Sequence, residues 1–249
     1  MLQRLICKLG VTGGSLRYIP GYALQGILMG QIDADFASEL HTQGLNPYSQ
    51  HLNISRDGVY WIIHTLTSEA GQKIIEPLAS SGFTGFHLDC LNKDISISEK
   101  SRIQIPLKDL VSRYYFERSE RIFRIHFITP TAFKSGGEYV FHPDLRLFIG
   151  SLMRKHSFIC ENNGEEDTET LEYLVENTKI MRYNLESMYN RIASVRLPAF
   201  SGYIIIKSSG PQQLVNYLHF LLRFGEYSGV GIKCAIGMGA IEIIDKPND

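Results

Sequence analysis

Hydrophobic and polar positions alternate in four short stretches of the first half of the chain. β-Branched and aromatic residues are frequent in them, and a strand presents every second side chain to the same face. These stretches therefore predict strands, at residues 2–9, 49–55, 58–66 and 83–91. More strand-like sequence follows at 103–116, around Pro106.

Two helical patterns separate the predicted strands. Over residues 21–41 apolar residues recur at steps of three and four, and the pattern ends before Gly44 and Pro47, which are usual stop signals. The second pattern covers 68–80 and begins with Ser68 as an N-cap. The order strand, helix, strand, strand, helix, strand predicts a ferredoxin-like unit.

The same order begins again from residue 121. The pattern predicts strands at 121–128, 187–196, 200–208 and 238–245, and helices at 143–157, near 167–183 and at 211–224. We therefore predict an α+β chain of two tandem ferredoxin-like (RRM-like) domains, with a helical acidic insertion in the second. The predicted domains are residues 1–117 and 118–249.

Charge is unevenly distributed along the chain. The 25 Lys and Arg residues and 26 Asp and Glu residues give a net charge of −1. Residues 161–176 contain no base and seven of the acids, which are Glu161, Glu165, Glu166, Asp167, Glu169, Glu172 and Glu176. The rest of the chain contains 19 acids and all 25 bases. Affinity for a polyanion depends on local clustering of bases, so the net charge does not exclude a polyanionic partner. Solvation of a surface helix explains the acidic stretch equally well.

Length and composition indicate an ordinary globular protein. The chain has 249 residues, 44% of them hydrophobic, and its apolar runs are far shorter than the roughly 20 residues of a membrane span. No two of its four cysteines lie within three residues of each other, which excludes a CxxC redox motif and a zinc ribbon. We expect a cytoplasmic protein with reduced thiols, without a secretory signal and without membrane contact.

The most specific motif lies near the C-terminus. Gly229-Val230-Gly231 and Gly237-Met238-Gly239 flank five residues in which Lys233 is the only charge. Glycines permit positive φ angles and close approach of a ligand, and successive amides can form an anion-binding concavity. A dinucleotide fingerprint needs a third glycine where Cys234 stands, and a Walker loop needs a Gly-Lys pair, which the chain lacks. The motif indicates either a phosphate-binding loop or a hairpin that only closes the sheet.

This glycine spacing is typical of the RAMP RNA-binding proteins of CRISPR systems. More closely, nearly the whole chain resembles the Cas-six family of precursor CRISPR RNA endoribonucleases. The resemblance is carried also by Leu40-His41, by Thr129-Pro130-Thr131-Ala132-Phe133-Lys134, by Phe200-Ser201-Gly202-Tyr203 and by Leu221-Leu222-Arg223-Phe224. It implies tandem ferredoxin-like domains, in agreement with the pattern above.

The resemblance implies cleavage of CRISPR repeat RNA into mature guide RNAs without a metal or another cofactor. The 2′-OH attacks the scissile phosphate and leaves a cyclic phosphate and a 5′-OH. Histidine suits the proton transfers because it titrates near neutrality. Of the eight histidines, His41 is the predicted catalytic residue, and His126 is a second choice for RNA binding. The predicted RNA-binding residues are Gly229, Gly231, Lys233, Gly237, Gly239 and Lys134.

The chain departs from the family in two places. Some members carry a tyrosine on the helix of the histidine and a lysine shortly after it, where this chain has Leu28-Met29-Gly30 and Leu45-Asn46-Pro47. Auxiliary catalytic groups are therefore expected elsewhere, with Tyr48, His51, Arg17 and Lys134 as candidates. The departure keeps an alternative open, in which the chain is a non-cleaving RAMP subunit that contacts other CRISPR effector subunits. Either a monomer or a homodimer fits the sequence.

Bases and aromatic rings are adjacent in two further segments. Arg17-Tyr18 and Arg113-Tyr114-Tyr115 suit stacking on unpaired RNA bases, although ordinary strand alternation explains the second segment as well. A tandem RNA-recognition protein outside CRISPR systems would be expected to carry a Gly-Phe/Tyr-rich motif on its central strands. No such motif is evident in the sequence.

Overall fold

The computed structural model describes residues 1–11, 19–161 and 167–245. Its N-terminal half forms a five-stranded antiparallel sheet with the order β2-β3-β1-β5-β4. The strands are β1 (Leu2–Val11), β2 (Tyr48–Ser55), β3 (Gly58–Thr65), β4 (Gly85–Leu88) and β5 (Lys93–Ile105). The helical segments are α1 (Gly21–Gln31), α2 (Ala34–Thr42), α3 (68–79) and α4 (107–116), the last two with π-helical turns at Gly71–Ile75 and Ser112–Phe116.

The C-terminal half forms a four-stranded antiparallel sheet with the order β11-β6-β10-β9. Its strands are β6 (Ile122–Thr131), β9 (Thr178–Ile192), β10 (Val195–Ser208) and β11 (Ile241–Ile244), and β7 (Phe133–Ser135) and β8 (Glu138–Val140) form a separate hairpin. The helices are α5 (Leu145–Glu161), α6 (Thr168–Glu176) and α7 (Gln212–Ser228). Within the described residues, no helix combines the length and apolarity that crossing a bilayer would require.

Both sheets have the strand order of a ferredoxin-like fold. In the C-terminal sheet the first strand lies between the third and the fourth, and the second lies beyond the third. In the N-terminal sheet β1 lies between β3 and β5, with β2 beyond β3 and the short β4 at the opposite edge. The predicted fold class is therefore confirmed, including the helix α6 in the acidic insertion. The boundary between residues 117 and 118 stays a prediction. Leu110, which precedes it, packs in the core of the C-terminal half.

The predicted single helix over 21–41 is wrong, because the segment forms two helices. Ile32 has an extended backbone, and Asp33 caps α2 by accepting a hydrogen bond from the Phe36 amide (3.0 Å). The apolar spacing continues through the break, and therefore the pattern gave no sign of it. The break at Ile32 and Asp33 determines where residues 21 and 41, the two ends of the segment, lie.

Four other predicted boundaries are wrong. The predicted strand 187–196 crosses a turn, because β9 ends at Ile192 and β10 begins at Val195. The strand that pairs with β1 on the side away from β3 is β5 (Lys93–Ile105), whereas only Gly85–Leu88 of the predicted 83–91 is strand. The strand was missed because most of its side chains are polar and exposed. Residues 107–116 are helical, since Leu107, Leu110, Val111 and Tyr114 recur at helical spacing and pack on the C-terminal core. The helix expected near 167–183 ends at Glu176, and β9 begins at Thr178.

A buried polar cluster joins the N-terminal sheet to α7. Arg4 Nε donates a hydrogen bond to His64 Nε2 (2.8 Å), and the Ser49 hydroxyl donates to the Tyr227 carbonyl (2.6 Å). Burial, reinforced by the nearby Arg4 charge, lowers the pKa of His51 to about 4. Burial also lowers the pKa of His64 well below its ordinary value. Both histidines are therefore neutral at pH 7.

Residues 229–239, called here the glycine loop, connect α7 to β11 and rest on the N-terminal half. Gln50 Nε2 donates to the Ala235 carbonyl (2.7 Å), and Gln50 Oε1 accepts from Trp61 Nε1 (2.7 Å). The Ile236 carbonyl lies so close to α1 that a Cβ at Gly21 would stand 2.0 Å from its oxygen. On the side of the N-terminal half, the loop is thus held by the Gln50 side-chain amide and by the close backbone contact with Gly21.

Protonation of the buried histidines is expected to destabilise the fold in mild acid. Unfolded histidines take up a proton below about pH 6.5, whereas folded His51 stays neutral until about pH 4. Neutral, buried His51 contributes fully to the free energy of unfolding above about pH 6.5. Between about pH 6.5 and 4 the free energy of unfolding falls by about 1.4 kcal/mol for each pH unit of acidification. Urea unfolding at pH 7.5, 6.5 and 5.5 measures this loss.

The loss should be smaller in the variant His51→Gln, which removes one titrating group. The matched variant His142→Gln changes an exposed histidine and should keep the wild-type pH dependence. An equal pH dependence of wild type and His51→Gln would contradict the prediction.

A methyl group at residue 21 is expected to push the glycine loop away from α1. Gly21→Ala should lower the free energy of unfolding by about 1–3 kcal/mol, the usual cost of overpacking, because its Cβ would meet backbone rather than a movable side chain. Gly26→Ala in the same helix has open space around its Cβ and should gain up to about 1 kcal/mol from helix propensity. Equal stability of the two variants, measured by urea unfolding, would refute this account.

Candidate functional site

A cleft of about 890 Å³ lies between the two halves of the chain. The end of α2, the loop that follows it, β7, α5 and the glycine loop form its walls. Four of the predicted site residues line it together: His41, Lys134, Gly231 and Lys233. The other three predicted glycines belong to the same loop but do not line this cleft.

His41 lies in the last turn of α2, where its side chain is exposed. The preceding residue, Leu40, is buried in the N-terminal core and fixes the orientation of this turn. Tyr22, in the first turn of α1, lines the same cleft. A single straight helix would separate residues 22 and 41 by about 28 Å, so the break after α1 brings the phenol and the imidazole to one site.

The cleft is basic. Its lining includes Lys134, Arg154, Lys155 and Lys233 and no carboxylate. Among the described residues, Lys134, Arg154 and Lys233 form no ion pair. These three cations can therefore bind a polyanion in the cleft, and no carboxylate in the lining repels it.

Lys155 differs from the other three cations because its ammonium group is already engaged. Nζ donates to the carbonyls of Ser228 (3.2 Å) and Gly229 (2.9 Å), and it lies 3.0 Å from Cys234 Sγ. These acceptors belong to the end of α7 and to the glycine loop. Lys155 therefore stabilises the loop that carries Lys233.

The glycines of the loop have positive φ, from 64° at Gly229 to 94° at Gly237. Their amides donate to acceptors inside the protein: Gly229 to the Gly225 carbonyl, Gly231 to Ser151 Oγ, Gly237 to the Cys234 carbonyl and Gly239 to the Pro130 carbonyl. The expectation that these amides are open donors for phosphate is therefore wrong. Their assignment as RNA-binding residues stays a prediction.

The glycines instead permit close packing of backbone on backbone. A Cβ at Gly231 would lie 2.2 Å from the Ala132 carbonyl oxygen, and one at Gly239 would lie 2.0 Å from that of Val230. This packing leaves Lys233, itself in a left-handed conformation (φ 62°), exposed at the cleft. The loop serves as a rigid support for that lysine.

The residues expected to supply auxiliary catalytic groups do not all lie in the cleft. Tyr48 lines the cleft but is buried; its hydroxyl accepts from Gln25 Nε2 (3.3 Å), and burial raises its pKa to about 12. His51 lines a separate groove, together with His126. Arg17 and Tyr18 lie outside the described residues.

The segment Arg113-Tyr114-Tyr115 is part of α4 rather than of a strand. The Tyr114 ring packs against His219 and under the guanidinium of Arg223, 5.2 Å from the ring centroid. Both partners belong to α7. This ring is used in packing between helices, and stacking of the segment on RNA bases stays a prediction.

Sequence reasoning missed several residues of the cleft. Gln43 Oε1 and Asn46 Oδ1 line it as buried acceptors without a hydrogen-bond donor among the described residues. Nucleic acid bases carry N–H donors that suit such acceptors. Polar residues directly after the His41 helix were the available signal, whereas the position of Arg154 depends on tertiary packing.

Sequence comparison identifies relatives of nearly the whole chain. A family model described as CRISPR-associated endoribonuclease Cas6 matches residues 125–241. A CRISPR-associated endoribonuclease Cas6 of Mycobacterium tuberculosis is 38% identical over 225 residues, which is 90% of this chain and 71% of that protein. One from Streptococcus thermophilus is 36% identical over 221 residues, 89% of this chain and 90% of that protein.

Solved structures share the fold at lower sequence identity. A Cas6 product complex superposes with a TM-score of 0.81 at 21% identity, covering 98% of this chain and 99% of that one. A Cas6-related protein of Pyrococcus furiosus reaches a TM-score of 0.63 at 12% identity, covering 99% of this chain and 100% of that one. The extent and identity of the sequence matches decide the assignment: the chain belongs to the Cas6 family of CRISPR-associated endoribonucleases.

Proposed function

We propose that this chain cleaves CRISPR repeat RNA in precursor transcripts to give mature guide RNAs, with His41 as the proton-transfer residue. One observation carries the proposal. His41 shares a carboxylate-free cleft with three cations that form no ion pair among the described residues. A phosphodiester in that cleft meets an exposed imidazole and positive charge at the same time.

The proposed reaction needs no metal ion. A base removes the proton of a ribose 2′-OH, and the 2′ oxygen attacks the adjacent phosphorus. The bond from phosphorus to the 5′ oxygen breaks, and that oxygen takes up a proton. The products are a 2′,3′-cyclic phosphate and a 5′-OH. Imidazole suits these transfers because both of its protonation states are accessible near neutral pH.

The cations supply the second requirement, which is stabilisation of the charge on the phosphorane. Lys134, Arg154 and Lys233 lie on three different elements around the cleft, so they are arranged to contact a strand rather than a single ion. Preorganised positive charge at a developing oxyanion is usually the largest contribution to catalysis. Since one chain carries His41 and all three cations, a monomer suffices for the reaction.

A non-cleaving effector subunit is the weaker alternative. Such a subunit needs the cations but has no use for an exposed imidazole among them. The relatives at 36–38% identity are named endoribonucleases, which supports the enzymatic role. None of the four cysteines, all described, forms a disulfide, which fits the expected cytoplasmic location.

Replacement of the imidazole tests the catalytic role. His41→Ala should lower the single-turnover cleavage rate of repeat RNA by about 10²–10⁴-fold, the usual contribution of a proton-transfer group. Affinity for the RNA should remain within a few-fold, because the cations are unchanged. Wild-type cleavage should persist in EDTA, and mass spectrometry should find a cyclic phosphate on the upstream fragment.

His142→Ala serves as the control, since it removes an exposed histidine that does not line the cleft. Cleavage by His41→Ala at the wild-type rate would end the catalytic assignment. Tight binding without cleavage by the wild-type protein would favour the effector-subunit alternative.

Lys233 is expected to contact a phosphate. Lys233→Gln should weaken repeat binding and reduce the slope of log affinity against log salt by about 0.7 to 0.9, the change expected for one lost phosphate contact. Lys108→Gln removes an exposed lysine of α4 outside the cleft and should leave the slope unchanged. Fluorescence anisotropy at KCl concentrations from about 50 to about 300 mM measures the slope. Identical slopes for the wild type and Lys233→Gln would disprove the contact.

A further inference from the structure

A short loop, residues 43–46, follows the helix of His41 and forms one edge of the cleft. All four of its residues line the cleft, as His41 does. Gln43 stands two residues after His41, and two residues of chain span at most about 7 Å. A base that contacts this loop therefore belongs to a nucleotide next to the phosphate at His41. The segment is called here the 43–46 loop.

The 43–46 loop carries two hydrogen-bond acceptors without a donor. Both side chains are partly exposed, but Gln43 Oε1 and Asn46 Oδ1 are shielded from bulk solvent and have no partner in the part of the chain that the structure describes. Shielded polar atoms are nearly always hydrogen-bonded, and each exception calls for an explanation. An amide oxygen can only accept a hydrogen bond. A ligand that completes this site must therefore bring donors.

Both ends of the 43–46 loop are anchored. Gln43 Nε2 donates to Glu39 Oε1 (2.9 Å), which leaves the oxygen of the amide as its free end, and the Gln43 backbone amide donates to the Glu39 carbonyl (3.1 Å). At the other end, Pro47 restricts Asn46 to an extended backbone. The Pro47 carbonyl accepts from the Leu66 amide (2.8 Å). The two acceptors are therefore preorganised before a ligand binds, which lowers the entropic cost of binding.

Two acceptors on one loop distinguish among the four bases of RNA. Guanine has two adjacent donors on its Watson–Crick edge, the N1–H and the N2 amino group. Adenine and cytosine each have one amino donor beside a ring nitrogen that accepts, and uracil has one N–H between two carbonyls. Guanine alone supplies a donor to both oxygens, whereas every other base places an acceptor against at least one of them, which leaves that oxygen unpaired.

We infer that Gln43 and Asn46 are specificity-determining residues, which bind a guanine base next to the scissile phosphate through its N1–H and N2 amino group. The inference deepens the proposed function and rests on it for the presence of RNA in the cleft. The cations of the cleft contact phosphates, which are the same at every nucleotide and carry no sequence information. The 43–46 loop supplies that information at the position where the chain is cut.

Altered bases in repeat RNA test the inference from the side of the substrate. Mapping of the cleavage products should find a guanine on one side of the cut. Inosine at that position lacks the N2 amino group and should lower kcat/KM by about 5- to 150-fold, the effect of leaving one shielded acceptor unpaired. The control base 7-deazaguanine keeps both donors and should be cleaved at the normal rate. A cut without a neighbouring guanine, or full activity on inosine RNA, would overturn the inference.

Variants without the acceptors test it from the side of the protein. Gln43→Met and Asn46→Leu keep the size of the side chain, and the one that removes the partner of the N2 amino group should cleave guanine and inosine RNA at nearly equal rates. Gln31→Met changes an exposed glutamine of α1 outside the cleft and should keep the wild-type preference. Slower cleavage by both loop variants with an undiminished preference for guanine would indicate a structural role and overturn the inference.

Mononucleotide binding separates the inference from the proposed function. Guanosine 3′- and 5′-monophosphate combine one phosphate with one guanine, and their binding requires no cleavage. In calorimetric titrations, at least one of them should bind more tightly than the matching inosine monophosphate. A wild-type protein that cleaves no repeat RNA but keeps this preference would refute the proposed function and still support the guanine subsite. Equal affinities for the guanosine and inosine monophosphates would overturn the subsite even in a protein that cleaves.

Discussion

The position of the glycine loop depends on the side-chain amide of Gln50. This amide is almost fully buried and connects the Trp61 indole, in the N-terminal core, with the Ala235 carbonyl of the loop. A buried polar group left without its partner costs about 1–3 kcal/mol, so moving the loop away from Gln50 carries a cost of that order. Lys233, two residues before Ala235, is placed at the cleft as a result.

The contact between the halves is polar where function needs definite geometry. Arg4, Ser49 and His64 meet the end of α7 through specific hydrogen bonds and ring contacts. Apolar packing alone tolerates sliding, whereas a satisfied buried network selects one arrangement. Lys155 adds a second connection, from α5 to the carbonyls that end α7. The walls of the cleft are thus fixed by hydrogen bonds at several separate points.

Local patterns predicted the fold class and placed His41 correctly at the end of a helix, but they did not reveal the basic cleft beside it. They failed where the decisive contact is distant in sequence. The break at Asp33 leaves the apolar spacing intact, and β5 carries few apolar residues because much of its surface is in water. The glycine spacing was recognised, but its amides find acceptors such as Ser151 and Pro130, which no local pattern reveals. Arg154 likewise joins the site only through the packing of α5.

In the proposed mechanism, the break after α1 makes the position of His41 depend on the number of residues in α2. The nine residues of α2 run from the Asp33 cap to the loop that borders the cleft. One inserted residue would rotate everything beyond it by about 100° around the helix axis, turning the His41 imidazole away from Lys134 and Lys233. Substitutions on the exposed surface of α2 leave His41 where it is, whereas a change in the number of residues in α2 moves it. Insertions and deletions between Asp33 and His41 should therefore be rarer among active enzymes than substitutions at the same positions.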